Sequence, residues 1–105
     1  MADFVKLATI HDVPDGGMHA VEHNGRRIAL FRAGATIYAT DGICSHDYAE
    51  LSEGFFDPDD CTVECPLHGS RFDVRTGRAL TLPAFAPIEV FEVKVQGDDV
   101  LVRLP

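Results

Sequence analysis

Two short strings, Cys44-Ser45-His46 and Cys65-Pro66-Leu67-His68, carry the residue types best suited to gripping a metal, and eighteen residues lie between them. Each string offers one soft thiolate and one imidazole. With C-x-H in one loop and C-x2-H in the other, each loop can give its Cys to one metal ion and its His to a second. A 2Fe–2S centre with two Cys on one iron and two His on the other satisfies that split. A single zinc ion in a closed Cys2His2 tetrahedron would use the same four side chains. Zinc knuckles, however, more often pair Cys with Cys and His with His. Four unrelated buried positions remain a further reading, since a free Cys is commonly no more than a small apolar residue.

After Cys65 the chain reads Pro66-Leu67-His68-Gly69-Ser70-Arg71-Phe72-Asp73, followed by Thr76-Gly77 and Leu82-Pro83. This resembles the Rieske ferredoxin family, whose second ligand loop runs C-P-x-H-G-x-x-F-D before a T-G turn and a proline-bearing loop. The resemblance covers nearly the whole chain and is nearest to the soluble ferredoxins of bacterial ring-hydroxylating dioxygenase systems. One departure is a slightly longer gap between the motifs, absorbed in Phe55-Phe56-Asp57-Pro58-Asp59-Asp60.

The resemblance implies one Rieske 2Fe–2S cluster per chain, with Cys44 and Cys65 on the inner iron and His46 and His68 on the outer one. Around it, Ser70 stands where high-potential relatives use a hydroxyl to bond a bridging sulfide. Phe72 stands where those relatives carry Tyr and has no proton to donate, and Pro83 lies in the proline-bearing loop. The implied function is one-electron carriage rather than catalysis. Electrons would come from a flavin-containing, NAD(P)H-dependent reductase and pass to a terminal Rieske non-haem iron oxygenase acting on aromatic rings. Two other readings are a small Rieske subunit of a cytosolic nitrite-reductase-type complex and a zinc-stabilised interaction module. Membrane-tethered Rieske proteins add a Cys in each ligand loop and close a disulfide. Here those slots hold Leu67 and residues near Ala49, so no disulfide is expected, and Cys61 is read as a half-buried thiol on a strand.

Composition narrows the setting. At 105 residues the chain is one domain, small enough to gain from a metal staple. No apolar run approaches the length of a membrane span. Met1-Ala2-Asp3-Phe4-Val5-Lys6 lacks the basic and apolar regions of a secretory signal, so a cytoplasmic protein is expected. Of the seventeen acids, eight (Asp41, Asp47, Glu50, Glu53, Asp57, Asp59, Asp60, Glu64) fall between residues 41 and 64, where there is no Lys or Arg. The rest of the chain is neutral, so the whole net charge of −8 sits within residues 41–64, in and around the first ligand string and up to the second. Such a surface disfavours nucleic acid and anionic membranes and suits transient docking of a monomer to a basic patch. A solvated face that only aids solubility is the plainer reading.

The elements that must position these loops read as strands. Phe4–Ala8, Met18–His23, Arg26–Arg32, Thr36–Thr40, Ile88–Val95 and Val100–Leu104 are β-rich runs, and Asn24-Gly25 is a strong hairpin signal. Cys61–Glu64 and Arg71–Val74 are expected strands between the loops, and Asp47–Ser52 has room for a single helical turn. No window holds a sustained helical period. The expected fold is all-β, a Rieske-type antiparallel sandwich or barrel. Residues 1–41 and 85–105 would form the base, with 42–84 inserted as the cluster-binding lobe. His11, His19 and His23 fall on the base and read as ordinary strand or turn histidines.

Overall fold

Ten short strands arranged in three antiparallel sheets make up the computed structural model, which describes residues 3–44, 49–67, 69–81 and 86–104. They are β1 (Phe4–Thr9), β2 (Met18–His23), β3 (Arg26–Ala33), β4 (Thr36–Asp41), β5 (Phe55–Asp57), β6 (Thr62–Glu64), β7 (Arg71–Asp73), β8 (Val90–Phe91), β9 (Val93–Gln96) and β10 (Asp99–Arg103). The sheet orders are β1-β10-β9, β2-β3-β4-β8 and β5-β6-β7. The fold is all-β: the helical segments among the described residues are single 3-10 turns at Ile10–Asp12 and Leu51–Glu53.

The alternation of β3 explains how the layers stack. Successive side chains of a strand point to opposite faces. Ile28 and Leu30 therefore enter one apolar cluster with Ala8, Val13, Ile37, Phe91, Val100 and Val102. Ala29 and Phe31 enter a second, with Leu51, Val63, Phe72, Val74 and both motif cysteines. All four β3 residues are 0–1% exposed, and each large one contributes about 1.5–3 kcal/mol by leaving water. Phe31 also meets Phe56 across the second core, ring centres 5.1 Å apart.

The hairpin at Asn24-Gly25 forms as expected, with φ of 51° and 80° at its two central residues and His23 paired to Arg26. Two expectations are corrected. The run Ile88–Val95 is divided at Glu92: β8 pairs with β4, whereas β9 pairs with β10. Its residues favour strand throughout, but the chain crosses from one sheet to another, and local periodicity carries no sign of that. Cys61 lies in a turn ahead of β6 rather than on a strand, with φ +56° and its carbonyl accepting from the Val74 amide at 2.9 Å. Its thiol packs 3.9 Å from the Tyr38 hydroxyl and 3.7 Å from the Pro58 carbonyl.

Candidate metal centre

A short ribbon carries the first motif cysteine. As β4 ends, the Gly42 amide donates to the Arg27 carbonyl on β3 (2.9 Å), and the Leu51 amide returns to the Gly42 carbonyl (2.9 Å). Ile43 and Glu50 then form an antiparallel bridge. The Cys44 amide closes the ribbon on the Ala49 carbonyl at 2.9 Å. Leu51, fully buried, plugs the ribbon into the second core.

The second cysteine follows β6 directly. Its amide donates to the Ser70 carbonyl at 2.7 Å, and the Gly69 amide returns to the Cys65 carbonyl at 3.2 Å, so Cys65 is tied at both its main-chain groups to Gly69-Ser70. That loop stands on the β5-β6-β7 sheet, where Val63 and Phe72 are paired on the inward face.

The two loops place their thiols in one environment. Cys44 is 4% exposed, Cys65 is 2% exposed, and both belong to the same apolar cluster. None of Cys44, Cys61 and Cys65 is in a disulfide. Two buried thiols that are not bridged to each other, each at the mouth of a closed loop, are a donor pair suited to iron. Ser70 and Phe72 are both fully buried beside them, Ser70 tied through its backbone to Cys65 and Phe72 within the same cluster. His46, His68 and Pro83 lie outside the described residues. Among the described residues no three His, Cys, Asp or Glu side chains converge into a metal site of their own. The base histidines lie on other elements: His11 is exposed and 3.3 Å from Asp98, and His19 and His23 are half-buried on β2.

Three features went unread in the sequence. Leu67 and Leu80 are exposed apolar residues, one inside the second loop and one just past the Phe72–Ala79 bridge. Leu67 could have been noticed, since it lies between Pro66 and His68. The role of Arg27 could not: its guanidinium lies 3.2 Å from Glu22, its partner in the hairpin, but also pairs with Glu50, which is distant in sequence. The acidic run also proves less uniform than its composition implies. Asp57 caps a turn by accepting from the Asp59 amide at 2.9 Å, and Glu50 is taken up by Arg27. Glu53, Asp59 and Asp60 stand exposed. Nearby, hydrogen bonds from Arg75 hold the Asp73 carboxyl below its usual range, and contact with the Cys61 thiol raises the Tyr38 hydroxyl above its own.

The family model for the Rieske [2Fe-2S] domain matches residues 3–92. The chain belongs to the Rieske family. Its cofactor is accordingly a Rieske-type 2Fe–2S cluster. This Rieske domain is 38% identical over 102 residues to the ferredoxin component of the naphthalene 1,2-dioxygenase/salicylate 5-hydroxylase systems of Ralstonia sp, covering 97% of this chain and 96% of that protein. Its structure matches the ferredoxin of carbazole 1,9a-dioxygenase from Nocardioides aromaticivorans IC177 with a TM-score of 0.90 at 37% identity, over 94% of this chain and 95% of that one. A solved complex of reduced oxygenase and oxidized ferredoxin in carbazole 1,9a-dioxygenase contains a chain that matches with a TM-score of 0.87 at 38% identity, over 95% of this chain and 92% of that one.

Proposed function

We propose that this Rieske domain is the ferredoxin of an aromatic ring-hydroxylating dioxygenase system. In this reading it takes single electrons from a flavin-containing NAD(P)H-dependent reductase and delivers them to a terminal Rieske non-haem iron oxygenase. Residues 42–84 serve as the cluster-binding lobe on a base formed by 1–41 and 85–105. Cys44 and Cys65 would hold the inner iron, and His46 and His68 the outer one. When bound, the cluster supplies a one-electron couple. The observation that carries the reading is the burial of Cys44 and Cys65 in one apolar cluster, each in a loop closed by its own main-chain hydrogen bonds.

The surrounding residues exclude water and set the local charge. Neutral imidazoles in place of two thiolates lower the negative charge of the donor set and raise the potential relative to all-Cys ferredoxins. Phe72 works the other way, because it fills its fully buried position without a donor. The acids add to this: one carboxylate about 10 Å away disfavours an added electron by roughly 0.4 kcal/mol at water's dielectric and 1.7 kcal/mol at an effective value of 20. The expected midpoint is therefore near the low end of the Rieske range, roughly −150 mV. A redox titration that returns a clearly positive midpoint contradicts this balance.

Stopped-flow mixing with candidate flavoprotein reductases and NADH or NADPH tests the carrier role directly. Reduction followed by reoxidation on a terminal oxygenase supports it, whereas a colourless protein containing zinc and no acid-labile sulfide ends it. Docking is expected to be transient and of small area. Charge reversal at Glu53, Asp59 and Asp60 should slow reduction by the cognate reductase on the order of tenfold at low ionic strength and flatten its salt dependence. Unchanged rates and salt dependence would leave the acidic run as a solubility feature. Glu50 does not belong in that set, since its carboxylate already faces Arg27.

A further inference from the structure

Arg27 grips both sides of the ribbon that carries Cys44. Its carbonyl accepts from the Gly42 amide on the outgoing side at 2.9 Å. Its guanidinium pairs with Glu50 on the returning side, directly across the Ile43–Glu50 bridge. The fit at Gly42 is close enough that a Cβ there would stand 3.0 Å from the Arg27 carbonyl carbon. A third contact steadies the side chain from behind: Nη1 lies 3.2 Å from Glu22, the residue paired with Arg27 across β2 and β3. Nε is buried with no hydrogen-bond partner among the described residues. Leaving a buried donor unsatisfied is costly, so the arginine is held where it is by the two carboxylates and the packing around it.

The two ligand loops differ in how they are supported. The Cys65 loop grows out of a three-stranded sheet, with β6 flanked on both sides. The outgoing side of the Cys44 ribbon continues β4, itself flanked by β3 and β8, but its returning side, Ala49–Leu51, lies outside that sheet. That returning side is attached through the Arg27–Glu50 pair, the Leu51 amide and the buried Leu51 side chain. How the returning side of the first loop sits thus depends on a contact made from β3.

We propose that Arg27 is a positioning residue for the cluster, fixing the Cys44 ribbon to the base sheet through its carbonyl and its ion pair with Glu50. The inference rests on Cys44 being an iron ligand. It acts on the geometry of the donor set, and its signature is a change in the cluster's spectrum and retention rather than in folding alone.

The test uses holoprotein and compares Arg27→Met, Arg27→Lys, Glu50→Gln, Glu22→Gln and the swap Arg27→Glu/Glu50→Arg. Two quantities are read at matched cluster loading: the g-values of the dithionite-reduced protein and the rate of iron release to a ferrous chelator. An ion pair this exposed supports the ribbon by at most about fivefold in a rate or equilibrium, so Arg27→Met and Glu50→Gln should each release iron about two- to fivefold faster, with shifted or broadened g-values. Glu22→Gln should have a smaller effect than Glu50→Gln, because Glu22 steadies Arg27 but does not touch the ribbon. The swap should recover only part of the loss, because Glu at position 27 then faces Glu22 directly across β2 and β3. Wild-type release and g-values in both Arg27→Met and Glu50→Gln would overturn the proposal, as would an equal effect of Glu22→Gln. If Arg27→Met does not fold, Arg27→Lys and Glu50→Gln decide the matter by the same readouts. A wild-type protein that assembles no 2Fe–2S cluster would instead overturn the ligand assignment itself.

Discussion

Replacing Cys65 with serine is expected to bleach the protein, removing its visible absorbance, its acid-labile sulfide and the EPR signal of its reduced form. A thiolate is a soft, strong iron donor, whereas a serine hydroxyl stays protonated near neutral pH and binds iron poorly. The 2% exposure of Cys65 makes the loss harder to repair, because little water can reach the position to replace the missing ligand. Cys44→Ser should behave alike. The control is Cys61→Ser, which should keep its colour, since that thiol is engaged with Tyr38 and Pro58. Because ligands come together only in the folded chain, cluster binding is also folding free energy. The bleached variants should therefore melt below the wild type. Retention of the cluster in Cys65→Ser, or bleaching in Cys61→Ser, would refute the assignment.

The second large effect is expected from Gly77→Ala, in the turn that leaves β7. Gly77 has φ +81°, and a Cβ there would stand 2.0 Å from the Ile88 carbonyl oxygen. The left-handed conformation alone costs an alanine roughly 1–2 kcal/mol. The carbonyl has little room to retreat, because the Ile88 amide donates to Gly77 at 2.8 Å and the Ile88 side chain, 5% exposed, sits in the core that holds both thiols. Losing that hydrogen bond and repacking Ile88 bring the total to about 3–5 kcal/mol. A small domain has only about 5–15 kcal/mol to lose. Urea denaturation of the holoprotein measures this, and a change below about 1 kcal/mol would mean that the Gly77–Ile88 contact yields easily.

The split between what could be read early and what could not follows the reach of each signal. The cysteines of both ligand strings, the Asn24-Gly25 hairpin and most strands rest on residues adjacent in sequence, and each was legible. The division of Ile88–Val95 was not, because β8 and β9 differ in which strand they meet and not in composition. Cys61 misled for a related reason: a buried cysteine beside a β-rich run looks like strand, while its left-handed backbone is fixed by the turn it closes with Val74. The acidic run was visible as a count, but its partition into exposed acids, a turn cap and an ion pair depends on neighbours supplied by folding. The Arg27 link to Glu50 left no trace, since the two are separated by the rest of β3 and all of β4. His46 and His68 belong to the ligand strings themselves, whereas Ser70, Phe72 and Pro83 rest on family resemblance. Of these, the structure places Ser70 and Phe72, both buried beside Cys65.

Strand β3, sealed on both faces, has one further consequence. Ile28 and Leu30 complete one interior while Ala29 and Phe31 complete the other, so neither interior can open without stripping a wall from its neighbour. The electron-carrying end and its pedestal share a spine. Such a chain should come apart in one step rather than in two, and a heat-worn molecule would be either intact or gone, with no stable half-carrier left to take up electrons it cannot pass on.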